Sequence, residues 1–130
     1  MIVALAVPTV ESGRNLNPLL KGANGDIGRF QVRAAVWGRA FGGECARLAV
    51  YRNNVRCGLL VLRWCFARYG TWPDAVSCYN GTGSKTRIYL AKVERAAGKI
   101  ALRIAAFPGG LAWPISPDSS GFPPPSLLAP

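Results

Sequence analysis

The chain has 130 residues, half of them hydrophobic, and 16 lysines and arginines against 6 acids give it a formal net charge of +10. That length supports one domain with a real core, and the charge favours a polyanionic partner (nucleic acid, an anionic membrane or an acidic wall polymer) without choosing among them. The basic residues are spread from Arg14 to Arg103 rather than gathered in one block, which argues against a nucleic-acid-binding arm, and the absence of histidine removes the usual base of a serine nucleophile.

The opening "MIVALAVPTV" is apolar but has no positively charged start and no A-x-A-like cleavage site. Glu11 ends it far short of the ~20 residues a membrane span needs, so it reads as a buried helix over residues 2–12. Pro8 should kink that helix or mark its true first turn. Residues 13–28, rich in Gly, Asn and Pro, read as a long loop able to line a groove, and helical character resumes in "FQVRAAVWGRAF", residues 30–41.

"NNVRCGLLVLRWCFARYG" is the clearest helix, with Asn53 or Asn54 as cap, Gly70 as stop, and Val55, Leu59, Leu62, Phe66 and Tyr69 as the inward stripe. A short helix capped by Thr71 and closed by Gly81 follows, with Ala75, Val76 and Tyr79 on its apolar side. A last helix begins at Ser84, with Ile88, Ala91, Val93 and Ala96 facing inward. Two regions result: a helical domain over residues 1–104 and a Pro/Gly/Ser-rich segment over 105–130, expected to be a disordered tail.

Cys45, Cys57, Cys65 and Cys78 contain no CxxC pair, so with no histidine a structural zinc is not expected and neither is any cofactor. An oxidising compartment would permit two disulfides in three connectivities. Cys57–Cys65 is the pair least compatible with its setting, because eight residues along one helix separate the Cα atoms by ~12 Å.

"GTGSKT", residues 81–86, superficially suggests a phosphate loop, but Ser84 stands where Walker A requires glycine and no strand precedes it. Gly22, Gly25 and Gly28 are spaced GxxGxxG rather than GxGxxG, so a dinucleotide site is set aside as well. Glu11 is the remaining chemical candidate. A carboxyl ending an apolar helix and facing a groove is desolvated, which raises its pKa and lets it act as a general acid; the competing reading is a solvated helix-end glutamate.

Read in order, "ESGRNLNP" (11–18), "NGDIGRFQV" (24–32), "NNVRCGLLVL" (53–62), "YGTWPDAVSCYNGTG" (69–83) and "YLAKV" (89–93) resemble the lysozyme-like soluble lytic transglycosylase domain, nearest the small members that accompany type III and type IV secretion and conjugation machines. The resemblance spans roughly residues 4–95 and implies a mainly α, goose-type lysozyme-like fold. It also implies a peptidoglycan glycan strand as substrate, a periplasmic or cell-envelope location, and secretion or conjugation proteins as partners, with neither nucleic acid nor a transmembrane segment.

By the same resemblance Glu11 is the sole catalytic acid/base of a reaction that leaves a 1,6-anhydro end on N-acetylmuramic acid. Ser12 hydrogen-bonds substrate or loop backbone, Gln31 lines the groove, Tyr79 places its hydroxyl near the glutamate and Asn80 helps hold the site. Asp26 reads as a loop-fixing residue, with a second catalytic carboxylate as the lesser alternative.

Four residues depart from the family pattern: Arg29 and Phe30 stand where Leu and Met are usual, Cys78 where Ala is usual, and Pro8 interrupts the catalytic helix. Arg29 is expected to pack or to point into the groove, and the natural amino terminus is expected to lie upstream. Three other outcomes remain: a phage-type muramidase, a non-catalytic wall-binding or assembly subunit of a secretion machine, or a basic helical protein that binds nucleic acid with a steep salt dependence.

Overall fold

The computed structural model describes residues 2–13, 15, 17, 19–81 and 85–106. Among them the chain is mainly α-helical. Helix α1 (Ile2–Ser12) is followed by a small antiparallel hairpin, β1 (Asp26–Ile27) and β2 (Val32–Arg33), and then by α2 (Ala34–Phe41) and a 3-10 turn (Gly42–Cys45). Helices α3 (Tyr51–Tyr69), α4 (Trp72–Asn80) and α5 (Thr86–Ala105) complete it. The expected tail, apart from residues 105–106, and residues 82–84 of "GTGSKT" lie outside the described residues.

Helix α3 is the axis of the fold. The hairpin, the 3-10 turn and α4 pack against it, α4 also meets α5, and α1 lies along α5. Its buried stripe is Asn54, Cys57, Gly58, Val61, Leu62 and Cys65, a 3-1-3-1-3 series that is the inward face of an α-helix. Of the expected stripe, Leu62 is buried and Val55 and Phe66 pack partly buried against the core, whereas Leu59 and Tyr69 are exposed and are corrected here. The inward positions carry Cys, Gly and Asn, residues that a hydrophobic pattern search underweights.

Both disulfides start from this stripe. Cys57 bonds Cys45 of the 3-10 turn and Cys65 bonds Cys78 of α4, so α3 is joined covalently to the element before it and the one after it. Trp37 on α2 adds an apolar joint, meeting the Trp64 ring edge-on at 5.3 Å and stacking on Phe41 at 5.8 Å.

Several boundaries differ from expectation for local reasons. Pro8 lies inside α1, six residues after its start, and is buried, so it is not the first turn; its missing N–H leaves one helical bond unmade. Helix α3 starts at Tyr51 after Val50, and Asn54 sits within it with its side chain turned to other work, so neither Asn53 nor Asn54 is the cap. Helix α2 begins at Ala34 rather than residue 30, because Val32 and Arg33 pair with Ile27 and Asp26. Thr71 caps α4 by accepting the Asp74 N–H, and Gly70 ends α3 in the left-handed conformation at φ 76°.

On α5 the inward residues are Tyr89, Leu90, Val93, Ala96, Ala97 and Ile100. Ile88 and Ala91, expected inside, are exposed. The stripe is rotated by about one residue from the expected one, enough at 100° per residue to turn both outward.

Candidate active site

Glu11 occupies the last turn of α1, where the helix passes beside α5. The Tyr89 hydroxyl donates to Glu11 Oε1 at 2.6 Å. Among the described residues Glu11 Oε2 has no hydrogen-bond partner. Burial pushes the Glu11 carboxyl above the ordinary carboxylate range; the hydrogen bond from Tyr89 pulls it back in part, and the negative charge of Asp26 pushes it further up. Burial and the nearby Glu11 carboxylate drive the Tyr89 hydroxyl far above its usual value, so it remains a donor at every physiological pH.

Tyr79, on α4, donates to the Phe30 carbonyl at 2.6 Å rather than to Glu11. Its hydroxyl is also held well above the usual tyrosine value, first by burial and then by the charges of Glu11 and Asp26. Two neutral tyrosines therefore flank one carboxyl: Tyr89 holds its oxygen, and Tyr79 ties the hairpin to α4 within its field.

The hairpin that faces Glu11 is held by polar side chains. Asn54, buried within α3, accepts the Phe30 N–H at 2.8 Å and donates to the Ile27 carbonyl at 2.7 Å, so one amide satisfies a backbone group on either side of the turn. Gln31 has a left-handed backbone at φ 46° and donates to the carbonyls of Gly28 at 2.8 Å and Leu20 at 3.3 Å. Phe30 is buried over Gly58, where a Cβ would stand 2.3 Å from the ring; only glycine permits that approach.

Arg29 joins the hairpin to the end of α1. Its guanidinium donates to Ser12 Oγ at 3.0 Å, to the Gly13 carbonyl and, more weakly, to the Asn15 carbonyl at 3.4 Å. The charge thus neither packs in the core nor stands free in a groove; it sits at a helix C-terminus, where the backbone dipole favours a cation. Ser12 Oγ in turn donates to the Pro8 carbonyl at 3.0 Å.

The structure thus brings Glu11, Ser12, Gln31 and Tyr79 into one region. Ser12 and Gln31 spend their side chains on the protein's own backbone and on Arg29, while Asn80 is exposed at the end of α4. Asp26 pairs with Arg33 at 2.9 Å across the hairpin, in register with it, and fixes the loop as expected of it. Among the described residues no three potential ligands cluster to hold a metal ion, and all four cysteines are in disulfides.

Three residues that shape the site carried no such role in the sequence reading. Tyr89 opens the "YLAKV" segment, whose position eleven residues before Ile100 on one inward face was the available signal. Asn54 could have been found from its spacing to Cys57, Gly58 and Val61. Nothing local in the sequence marks the contact of Arg29 with Ser12, which joins residues 17 apart.

Comparison with protein families, with curated proteins and with solved structures finds no match to this chain.

Proposed function

We propose that this protein is a peptidoglycan lytic transglycosylase of lysozyme-like architecture, with Glu11 as its single acid/base. The observation that carries the reading is the Glu11 carboxyl: shielded by burial, raised in pKa, held at Oε1 by Tyr89, and unengaged at Oε2 among the described residues. The ordered motif series from "ESGRNLNP" to "YLAKV" supports it independently.

In this reaction protonated Glu11 gives its proton to the glycosidic oxygen between N-acetylmuramic acid and N-acetylglucosamine, and that C–O bond breaks. The C6 hydroxyl of the same muramoyl residue bonds to its own anomeric carbon and returns its proton to Glu11, leaving a 1,6-anhydro ring and consuming no water. One carboxyl suffices because the nucleophile belongs to the substrate, whereas hydrolytic glycosidases commonly employ two. The engagement of Asp26 by Arg33 fits this one-carboxyl scheme.

The departures from the family pattern are accommodated without disturbing the carboxyl. Phe30 has glycine beneath it, Arg29 is satisfied by the end of α1, Cys78 is in a disulfide, and Pro8 is buried within an intact helix. This favours an enzyme over an inactive wall-binding subunit. Two disulfides suit an oxidising compartment such as the periplasm, and the wall's stem-peptide carboxylates suit a charge of +10. Local opening of the wall for a secretion or conjugation apparatus is the corresponding role.

Clearing of a peptidoglycan suspension tests the activity directly. Wild type clears it and Glu11→Gln, with an unchanged helical spectrum, does not; equal clearing by both refutes the assignment.

A further inference from the structure

The outward side of α5 carries exposed cations together with the two most exposed large apolar side chains of the helices. With Tyr89, Val93, Ala96 and Ile100 turned inward, the 100° step of the helix brings Ile88, Ala91, Arg95, Lys99 and Leu102 to the opposite side. Ile88 is 61 % exposed and Leu102 74 %, the highest value among the exposed large hydrophobic residues. Arg87, Lys92 and Arg103 are exposed along the edges of this sector, and Glu94 is the single acid of the helix. Among the described residues none of these five cations is in a salt bridge.

We propose that this face of α5 docks the protein onto the surface of an anionic lipid bilayer. A polyanion such as nucleic acid or wall polymer asks only for cations, whereas a lipid interface also rewards apolar side chains that reach past the headgroups. Ile88 and Leu102 project among the cations near opposite ends of a helix about 30 Å long, so both can enter the interface while Arg95 and Lys99 meet headgroup phosphates between them. No helix among the described residues is long and apolar enough to cross a membrane, so the contact lies in the interfacial plane. Glu11 and Tyr89 are on the other side of α5 and are left uncovered by it. The inference uses none of the catalytic reading and stands or falls separately from it.

The test is sedimentation of the full chain with vesicles of phosphatidylcholine alone and of equal parts phosphatidylcholine and phosphatidylglycerol. Binding is expected to the anionic vesicles only. The triple variant Arg95→Gln/Lys99→Gln/Arg103→Gln should weaken it about a hundred-fold, at roughly five-fold per charge. The double variant Ile88→Ser/Leu102→Ser should weaken it ~10-fold while leaving affinity for a DNA duplex unchanged. All five positions are exposed, so far-UV spectra and melting temperatures should match wild type. Loss of binding in the charge variant with none in the apolar variant overturns the proposal in favour of a general polyanion surface; no effect of either variant, or no binding to anionic vesicles, overturns it outright.

Discussion

Helix α3 supports two regions that are held by different physics. Towards α2, the 3-10 turn and α4 it is joined by two disulfides and a cluster of tryptophan and phenylalanine rings. Towards the hairpin that faces Glu11 it offers one buried amide, that of Asn54, and one missing side chain, that of Gly58. The first region tolerates small losses because a covalent link remains when a contact is weakened. The second depends on a few directional bonds, each of which leaves a buried partner unsatisfied when it is lost. The scaffold is made durable and the site is made specific by separate means.

The comparison breaks most sharply at Glu11 itself. Replacing it by Gln should reduce turnover by a factor on the order of 10³, the scale of a lost general acid/base, while leaving the fold intact. Its effect on stability depends on pH. A carboxyl whose folded pKa lies above the ordinary 4.5 contributes stability below that value and loses it as pH rises through the folded pKa. Glu11→Gln should therefore melt at a higher temperature than wild type at neutral pH and lose that advantage at acid pH, as calorimetry across pH will read.

Asn54→Leu should cost about 3 kcal/mol, since it strands the Phe30 N–H and the Ile27 carbonyl together. Removal of Cys45 and Cys57 together, by substitution with Ala, should cost about 3 kcal/mol as well, because the bond closes a short loop of 12 residues. The two variants should nonetheless differ in activity below their melting temperatures: Asn54→Leu moves the hairpin and loses most turnover, whereas the cysteine variant keeps it. Equal retention of activity in both would erase the distinction between scaffold and site.

Gly58→Ala should cost about 1–3 kcal/mol by driving a methyl group into the Phe30 ring, with activity lost alongside stability. The smallest effect is expected at Tyr89. Tyr89→Phe removes the hydrogen bond that partly lowers the Glu11 pKa, so the alkaline limb of the pH–rate profile should move to higher pH, the protonated acid persisting longer. A shift to lower pH would contradict the role assigned to Tyr89.

Helix existence was legible in the sequence wherever a cap or a glycine stop was present, as at Thr71 and Gly70. Periodicity misplaced part of the inward face of α3, because Asn54, Cys57 and Gly58 hold core positions there, and part of that of α5, where apolar residues such as Ile88 and Ala91 also stand on the exposed side. The hairpin was hidden for a related reason: its two-residue strands are too short to show alternation, and its stability comes from Asn54, 24 residues from Phe30. For the candidate site, Glu11 stood out through its place at the end of an apolar run. Its partner Tyr89, 78 residues away, is a product of the packing of α1 on α5, which no local pattern encodes.

The most direct test of the central claim is mass spectrometry of the products released from purified peptidoglycan by the wild type and by Glu11→Gln. Anhydromuropeptides from the wild type alone are the predicted result. Reducing-end muropeptides would mean a hydrolytic muramidase, and intact strands from a well-folded wild type would contradict catalysis by Glu11 altogether.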